Sequence, residues 1–506
     1  MNQKNIKQKI KNFFKWIWQE CKDWHTLVLL LCVITVVYSP VWGGYLLDAV
    51  FGWSWCSVMA SAYLLFWAGP VTPFFPLCIG ITLSLKKAWQ IKKRKSSETA
   101  GTALLVKIRN RIFSDNIVNN GRQIELDIAK GLSILFMVWV HTTETFGNYQ
   151  GIGNAVVEIL GGPFAAPVFM VCMGTGLCYA RKTQTRDLAK RGVGLLVTGL
   201  LLNVFRYILP LFIGYTLTEE PLFLYTFPFL FGVDIMEFAG LAFLFFALAK
   251  RFNWSEKVLA VTAVAASLLG MLLKGTASGS VYIDQFLGYI WGNDNAETYF
   301  PFLNWIIFPV FGYLFGKFLR HCSDKTAFYK MVSPVCGILG LGYVIAAYVF
   351  SFGMYGENGY YYFLGLTDAI PVLMLVIGMF GFCHMLSVWK DSAWIKALRN
   401  MSENINVVYC IQWVLIGSLG ILISDLFPEE GLKFLPMTVL AICFAAVSAI
   451  TAHWYQKKKY LGRRPAKVIM ACILSVVMVF SVIGQIQAEN YLQEEGYDFN
   501  QMLGRE

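Results

Sequence analysis

Charged side chains are scarce in this sequence, since they make up 14% of its 506 residues, whereas hydrophobic side chains make up 57%. In an ordinary soluble domain about 25% of the residues are charged. This shortage excludes a soluble globular protein. The hydrophobic residues gather in runs of about 20, which is the length of a membrane-spanning helix. The sequence therefore predicts an all-α, polytopic integral membrane helix bundle.

Cysteine pairs with the spacing of metal ligands are lacking. The twelve cysteines lie mostly within apolar runs, and none falls in the predicted outer loops. We therefore expect neither a disulfide framework nor a metal site. We also expect no cleavable signal peptide, because no small residues of the cleavage type follow a short apolar core. Residues 1–20 are basic and amphipathic, and they predict a helix on the membrane surface.

Thirteen apolar runs have spanning length. The second run contains Pro70, Pro73 and Pro76, so it predicts either a plain span or a kinked or re-entrant segment. The runs cover 26–48, 63–86, 128–147, 155–180, 188–212, 226–249, 257–273, 300–319, 331–352, 368–388, 404–424, 434–455 and 467–487.

A charged segment at 87–121 divides the chain and predicts a cytoplasmic linker. Residues 1–86 hold the basic N-terminus and a two-helix membrane appendage. Residues 122–455 hold ten runs, which we interpret as the core, and residues 456–506 hold one more span and an acidic outer tail. The sequence contains no internal repeat and no inverted pair of broken helices, which argues against a transporter.

The positive residues indicate the orientation of the chain. The net charge is +11, but the basic residues alternate with apolar runs and do not form the single patch that nucleic acid requires, so we expect no nucleic-acid partner. Nearly all of the 42 Lys and Arg residues lie in one of the two sets of alternating connections. The exceptions are Lys130, Arg206, Lys274, Lys433 and Arg505. This asymmetry predicts a multi-pass protein of the cell membrane with a cytoplasmic N-terminus and an extracytoplasmic C-terminus.

The stretch from Arg122 to Glu144 has charges at one end, an apolar middle and a histidine far inside. On a helix turning about 100° per residue, Lys130 and His141 share one face and lie roughly 16 Å apart, with Asp127 close to the same stripe. One interpretation is that Lys130 only marks the cytoplasmic end of a span, and that His141 and Glu144 already lie in water. The other is that chemistry requires these groups, because ionisable side chains are costly in hydrocarbon.

Two further charges lie in apolar surroundings, Arg206 in the run 188–212 and Asp234 in the run 226–249. An isolated charge there costs about 2.5 to 3.5 kcal/mol on insertion scales. We expect the two residues either to pair with each other or to line a wet cavity. The basic loop that ends at Arg191 is chiefly a signal of orientation, and it is also suited to hold phosphates.

Small residues recur in two of the apolar runs. One run carries several between Gly161 and Gly176, and a later run carries Gly312 and Gly316. Helix backbones approach closely at such positions, so these residues predict helix contacts.

The pattern RxxxxDxxKG, followed after nine mostly apolar residues by His141, resembles the first core helix of membrane-bound acyltransferases. It is similar above all to the heparan-alpha-glucosaminide N-acetyltransferase catalytic domain family, with the acyltransferase 3 family as a related pattern. The later segments APVF, FGVDIMEFAG and YFPFLNWIIFPVFGYLFGK resemble weaker signatures of the same family. In ENINVVYCIQW, Gln412 stands where related acyltransferases tend to have a histidine.

This resemblance implies that acetyl-CoA is the acyl donor on the cytoplasmic side and that a sugar of an extracytoplasmic glycan or glycolipid is the acceptor. His141 would be the general base or a transient acyl carrier, and Asp127 would orient Lys130 or Arg191. The donor phosphates would contact three basic residues, Arg122, Lys130 and Arg191. The residues that would shape the acceptor chamber are Arg206, Asp234, Glu144 and Asn304. No metal is implied.

Two other hypotheses remain open at this stage. A transporter or flippase of a glycan or lipid-linked intermediate would use the same buried charges as a substrate path. A catalytically silent relative would bind a partner through the N-terminal appendage. The sequence also leaves open the acceptor, oxygen or nitrogen as the acylated atom, the acyl length, direct transfer or a covalent intermediate, and assembly into a homo-oligomer.

Overall fold

The computed structural model describes residues 111–148, 151–293, 295–356, 361–422, 430–458 and 464–494. The predicted two-helix appendage at 1–86, most of the linker and the acidic tail lie outside the described residues. The structure described below is therefore that of the segment that follows the linker.

The described residues fold into helices, and only isolated bridges between single residues occur among them in place of β-strands. The confirmed fold is an all-α membrane helix bundle. The α-helices are α1 Ile124–Phe146, α2 Gly151–Phe164, α3 Ala166–Tyr179, α4 Thr185–Asn203, α5 Leu209–Thr218, α6 Phe227–Leu230, α7 Ile235–Arg251, α8 Glu256–Leu273, α9 Val281–Leu287, α10 Phe302–Trp305, α11 Ile307–Arg320, α12 Lys325–Val349, α13 Leu366–Leu386, α14 Ala393–Glu403, α15 Ile405–Leu422, α16 Phe434–Lys458 and α17 Arg464–Glu494. A π-helical segment covers Val204–Ile208, and short 3₁₀ helices cover Pro221–Leu224, Gly353–Tyr355, Tyr361–Phe363 and Ser387–Trp389.

Each apolar run within the described residues coincides with a helix or a divided helix. Eight helices in this part of the chain are long and apolar enough to cross a membrane, or nine if the pair α14 and α15, bent by 85°, is one span. Helix α7 is only 17 residues long. Helix α1 carries charged residues at both ends. The count of thirteen therefore stays a prediction.

Helix α1 lies at the centre of the bundle, in contact with α2, α3, α13, α14, α15 and α16. Its buried residues include Glu125, Asp127 and His141. Because an α-helix rises about 1.5 Å per residue, Asp127 and Glu144 lie roughly 25 Å apart along it. We call the two ends of the bundle the Asp127 end and the Glu144 end.

Two predicted spans are divided beside the centre of α1. The run 155–180 is interrupted at Ala165, because Pro163 and Pro167 remove backbone donors from the helix on either side of it. The run 226–249 begins with the short α6 and continues as α7, because Asp234 adopts an extended conformation and caps the new helix.

Small residues bring the backbones of α3 and α11 into contact, as predicted. A Cβ atom on Gly174 would overlap the carbonyl of Pro309, and one on Gly312 would overlap the carbonyl of Val171. The hydroxyl of Thr175 also donates a hydrogen bond of 2.8 Å to the carbonyl of Gly312. These glycines are helix-contact positions.

The segment that precedes α1 packs on the loop after α11. The backbone N–H groups of Val118 and Asn119 donate to the carbonyl of Arg320, and that of Ser114 donates to the carbonyl of His321. The last part of the predicted linker is thereby fixed to the Asp127 end of the bundle.

The glycine contact between α3 and α11 can be tested with two substitutions on the same helix. Gly174→Val would overlap α11, whereas a Cβ atom on Gly176 meets nothing within 4 Å, so Gly176→Val is the matched control. We expect Gly174→Val to lower the free energy of unfolding by about 1–3 kcal/mol or more and Gly176→Val to have a much smaller effect. Thermal unfolding of the purified protein in detergent measures both, and equal melting temperatures would contradict the contact.

Candidate active site

His141 lies on α1 about three-quarters of the way from the Asp127 end, and it is 9% exposed. Its Nδ1 atom is 3.2 Å from Oε1 and 3.0 Å from Nε2 of Gln412 on α15. Its ring stacks on Trp413, with the ring centres 3.8 Å apart. Since Gln412 takes up Nδ1, Nε2 is the imidazole nitrogen left for chemistry.

Arg206 and Asp234 form a buried salt bridge beside the histidine. The Nη1 atom of Arg206 is 2.7 Å from Oδ2 of Asp234, and both side chains are at most 5% exposed. The guanidinium carbon also lies 4.0 Å from the centre of the Trp413 ring, within the range of a cation–π contact. The pairing expected from the sequence is present, and Trp413 connects it to the imidazole of His141.

Local backbone features hold both members of this pair. Arg206 lies in the π-helical segment Val204–Ile208, a form of helix that is frequent at functional sites. Gly417 allows α15 to approach it, because a Cβ atom there would lie 2.9 Å from the carbonyl oxygen of Arg206. Asp234 accepts a 2.6 Å hydrogen bond from the N–H of Ile235, and Glu237 accepts one of 3.0 Å from the N–H of Asp234. The spacing of this capping box, Asp-x-x-Glu, is a signal that the sequence analysis did not use.

A small cavity of about 30 Å³ opens beside His141. Its polar lining comes from His141, Asp234 and Tyr409, all of them buried. This volume holds about one water molecule. The space exists because the divided span carries small residues here, namely Gly161, Gly162, Ala165 and Ala166. These four residues were expected to serve helix packing, and the structure gives them the additional role of lining the cavity.

Aromatic residues form a wall between the cavity and the Glu144 end. Tyr361 and Tyr362 line the cavity together with Phe300. The ring of Tyr362 lies 4.9 Å from Tyr299 and 5.3 Å from Tyr361, centre to centre. The hydroxyl of Tyr362 donates a 2.6 Å hydrogen bond to Glu144, which is exposed. Glu144 is therefore connected to the cavity through a single side chain.

The Asp127 cluster is a separate site at the start of α1. Asp127 accepts a 2.5 Å hydrogen bond from Nε of Arg122 and lies 3.1 Å from Nζ of Lys130. Arg122 is also paired with Glu403 of α14 at 2.7 Å. The hydrogen bond that Arg122 donates to Asp127, aided by the one to Glu403, raises the pKa of Arg122. Asp127 and His141 are 14 positions apart, or roughly 21 Å along the helix, so they do not share one pocket.

Two other residues singled out from the sequence lie away from the cavity. Asn304 is fully buried between α10 and α8, where its Nδ2 donates to the carbonyl of Leu364 at 3.3 Å. Its neighbour Trp305 donates to the carbonyl of Tyr362 at 2.6 Å and so supports the aromatic wall. Arg191 on α4 packs over the ring of Phe243, with its guanidinium carbon 4.3 Å from the ring centre.

A second, larger cleft of about 490 Å³ lies at the Asp127 end between α3, α4, α7, α8 and α11. Three basic side chains line this basic cleft: Lys250, Lys317 and Arg320. Lys317 is paired with Glu256 at 2.7 Å. Leu188, one helical turn before Arg191, also lines the cleft, so Arg191 lies near its rim. The sequence did not predict this site, because its basic residues come from separate connections and indicated only orientation.

A packed core separates the basic cleft from the cavity. Both spaces lie along α7, from Asp234 at one end to Phe246 at the other, which is a distance of roughly 18 Å. Between them, Phe238 and Phe243 are at most 2% exposed, and Val171 on α3 is fully buried. The two spaces are therefore closed off from each other in this structure.

A buried imidazole, an adjacent ion pair and a small cavity inside an apolar helix bundle define an integral membrane protein with a candidate active site within the membrane. The model of the acyltransferase 3 family, described as an acyltransferase domain, matches residues 123–455. The chain belongs to this family and is a membrane acyltransferase. A comparison with curated proteins finds no match. The related pattern named from the sequence is thus confirmed, whereas the likeness to the heparan-alpha-glucosaminide family stays a prediction.

The buried salt bridge can be compared with an exposed one of equal length. Arg206→Met leaves the carboxylate of Asp234 buried without its partner, and we expect a loss of about 3–5 kcal/mol in the free energy of unfolding. Lys317→Met breaks the 2.7 Å pair with Glu256, whose side chains are 38% and 56% exposed, and we expect a change of about 1 kcal/mol or less. Thermal unfolding in detergent measures both variants.

A double variant tests whether the loss of stability comes from the unpaired charge of Asp234. Replacing both partners, as Arg206→Met with Asp234→Leu, removes the uncompensated charge, and we expect it to recover part of the lost stability. A double variant that is less stable than Arg206→Met alone would contradict this account.

Proposed function

We propose that this membrane acyltransferase moves an acetyl group from acetyl-CoA, bound on the cytoplasmic side at the Asp127 end, to a sugar hydroxyl or amine of a glycan at the Glu144 end. The observation that carries the proposal is the position of His141. Its imidazole is buried, it is held through Nδ1, and it faces a cavity with an aromatic wall on the side of Glu144. This arrangement supplies a base within the membrane and a binding surface outside it.

His141 acts as the general base in this proposal. With the Nδ1–H bonded to the amide oxygen of Gln412, Nε2 takes the proton from the acceptor hydroxyl or amine as its oxygen or nitrogen attacks the thioester carbonyl. The carbon–sulfur bond breaks, and His141 returns the proton to the departing thiolate. Asp234, next to the same cavity, stabilises the imidazolium that exists between these steps, as a carboxylate does in other catalytic dyads.

A two-step route uses the same nitrogen. Nε2 of His141 attacks the thioester carbonyl, the carbon–sulfur bond breaks, and the thiolate leaves. The oxygen or nitrogen of the acceptor then attacks the acyl carbon, the bond from that carbon to Nε2 breaks, and the proton of the acceptor passes to the thiolate. Gln412 serves both routes, because its amide presents an oxygen and a nitrogen to Nδ1 and so satisfies either tautomer.

The acceptor is assigned from the aromatic wall and Glu144. Tyr361 and Tyr362 offer ring faces on which the C–H face of a sugar can pack, and Glu144 can accept hydrogen bonds from sugar hydroxyls. Asn304 has no place in this surface, because it is enclosed between helices. Its neighbour Trp305 contributes indirectly by holding the backbone of Tyr362.

The donor phosphates are assigned to the basic cleft. Lys250 and Arg320 line it and make no salt bridge with the residues that the structure describes, and Arg191 lies near its rim. Guanidinium and ammonium groups bind phosphates through charge-assisted hydrogen bonds. Arg122 and Lys130, which the sequence also offered for this role, are engaged by Asp127 and Glu403, so we assign them to fixing the start of α1.

The transporter hypothesis receives no support from the cavity. A space of about 30 Å³ beside the buried charges holds one water molecule, whereas a sugar needs several times that volume. The same space is sufficient for the small reacting atoms of an acetyl group at Nε2 of His141.

The role of His141 is tested by replacement. His141→Ala removes the base, and we expect the rate of transfer to fall by about 10²–10⁴-fold. The measurement is the transfer of labelled acetyl groups from acetyl-CoA to surface glycan in membranes with equal amounts of protein. His453→Ala is the control, because His453 lies on α16, bonded to Asn400 and outside the cavity. Full activity of His141→Ala would refute the proposed chemistry.

The donor site is tested separately. Lys250→Gln removes one ammonium group from the basic cleft, and we expect the KM for acetyl-CoA to rise about tenfold or more, since hydrogen bonds to charged groups contribute about 1.5–3 kcal/mol. We expect kcat to change little, because Lys250 lies far from His141. Lys396→Gln, on the exposed face of α14, is the control. An unchanged KM would show that the donor phosphates bind elsewhere, and it would not contradict the role of His141.

A further inference from the structure

A third space lies on the outer surface of the bundle, between α12 and α13. It is a groove of about 650 Å³ at the Asp127 end. Its floor is formed where the two helices touch, because Gly337 and Gly378 bring their backbones together and Gly381 lies against Ser333. The absence of side chains at these positions leaves a trough that larger side chains border.

The groove lies on a side of the bundle that the described residues leave uncovered. Among the candidate spans of the described residues, helix α12 has the smallest buried share of its apolar window, 17%. Large hydrophobic side chains flank the groove on both helices, including Met331, Phe382 and Met385, which are 51%, 51% and 62% exposed. From Thr326 to Pro334 the groove follows α12 for about 12 Å. Its surface therefore suits a hydrocarbon chain that lies along the helices.

The end of the groove toward the aqueous phase is polar and basic. Lys330, Thr326 and His384 line it, and no acidic side chain does. Nε2 of His384 is bonded to Thr326 at 3.1 Å, whereas its Nδ1 is buried and has no hydrogen-bond partner among the residues that the structure describes. Tyr329, a residue only 3% exposed, lines the same groove, and its buried hydroxyl finds no hydrogen-bond partner in the described part of the chain.

We propose that this groove binds one anionic phospholipid of the adjacent leaflet, with an acyl chain along α12 and α13 and the phosphate at Lys330, Thr326 and His384. A lipid of this kind matches the groove in both of its parts. The apolar trough accommodates an acyl chain, and the exposed hydroxyl of Thr326 can donate a hydrogen bond to a phosphate oxygen. Lys330 supplies the charge that selects an anionic headgroup.

The test compares lipids on the purified full-length protein in neutral detergent. We expect phosphatidylglycerol to raise the melting temperature by several degrees, and phosphatidylcholine with the same chains to raise it much less. Native mass spectrometry should show one phosphatidylglycerol retained per chain. Inorganic phosphate alone should not change the melting temperature, because the acyl chain of the lipid supplies part of the binding affinity.

Two variants distinguish the groove from the general attraction of a basic surface. Lys330→Ala, an exposed position, should weaken phosphatidylglycerol binding about tenfold, which is the expected loss of one charge-assisted contact. Lys257→Ala removes an equally exposed lysine at the same end of the bundle and should leave binding unchanged. Equal stabilisation by the two lipids, equal binding by the two variants, or a full effect of inorganic phosphate would each overturn the proposal.

Discussion

The charge of Arg206 is the constraint on which the candidate site depends. An arginine side chain stays protonated inside proteins, so a guanidinium that is 1% exposed must be neutralised where it lies. Asp234 supplies the opposite charge at 2.7 Å, and the rings of Tyr207 and Trp413 cover the guanidinium at 4.2 and 4.0 Å. Each of these partners has to be held in place by the backbone. The π-helical segment, the capping box of α7 and the close approach of α15 at Gly417 are the means by which this is done.

This constraint also fixes the imidazole. Trp413 is held against Arg206, and His141 stacks on the same indole, while Gln412, the residue before Trp413, occupies Nδ1. A histidine in hydrocarbon without such partners would be free to rotate. Here one side of the ring is covered and one nitrogen is bonded, so the remaining nitrogen has a defined direction. A base with fixed geometry is what proton transfer at a reacting atom requires.

The sequence predicted the class of fold and part of the site for physical reasons that also explain what it missed. An apolar run depends only on consecutive residues, so the helices of the described segment coincide with the runs that hydropathy identified. The pair Arg206 and Asp234 could be anticipated, because two charges in hydrocarbon each need a partner. The contact between His141 and Gln412 spans 271 positions, and no periodic pattern reports it. For the same reason the basic cleft and the enclosure of Asn304 could not be foreseen, since they depend on which helices become neighbours.

The packed core between the basic cleft and the cavity bears on how a group could cross the membrane. A permanent passage of roughly 18 Å, lined by charged residues at both ends, would let ions and water through. It would also expose a thioester to hydrolysis. Phe238, Phe243 and Val171 close that path, and the close contact of α3 with α11 keeps one wall rigid. Access to His141 must therefore come from a movement that opens this path, and the break between α2 and α3 at Ala165, directly beside the cavity, is a point at which the backbone can bend.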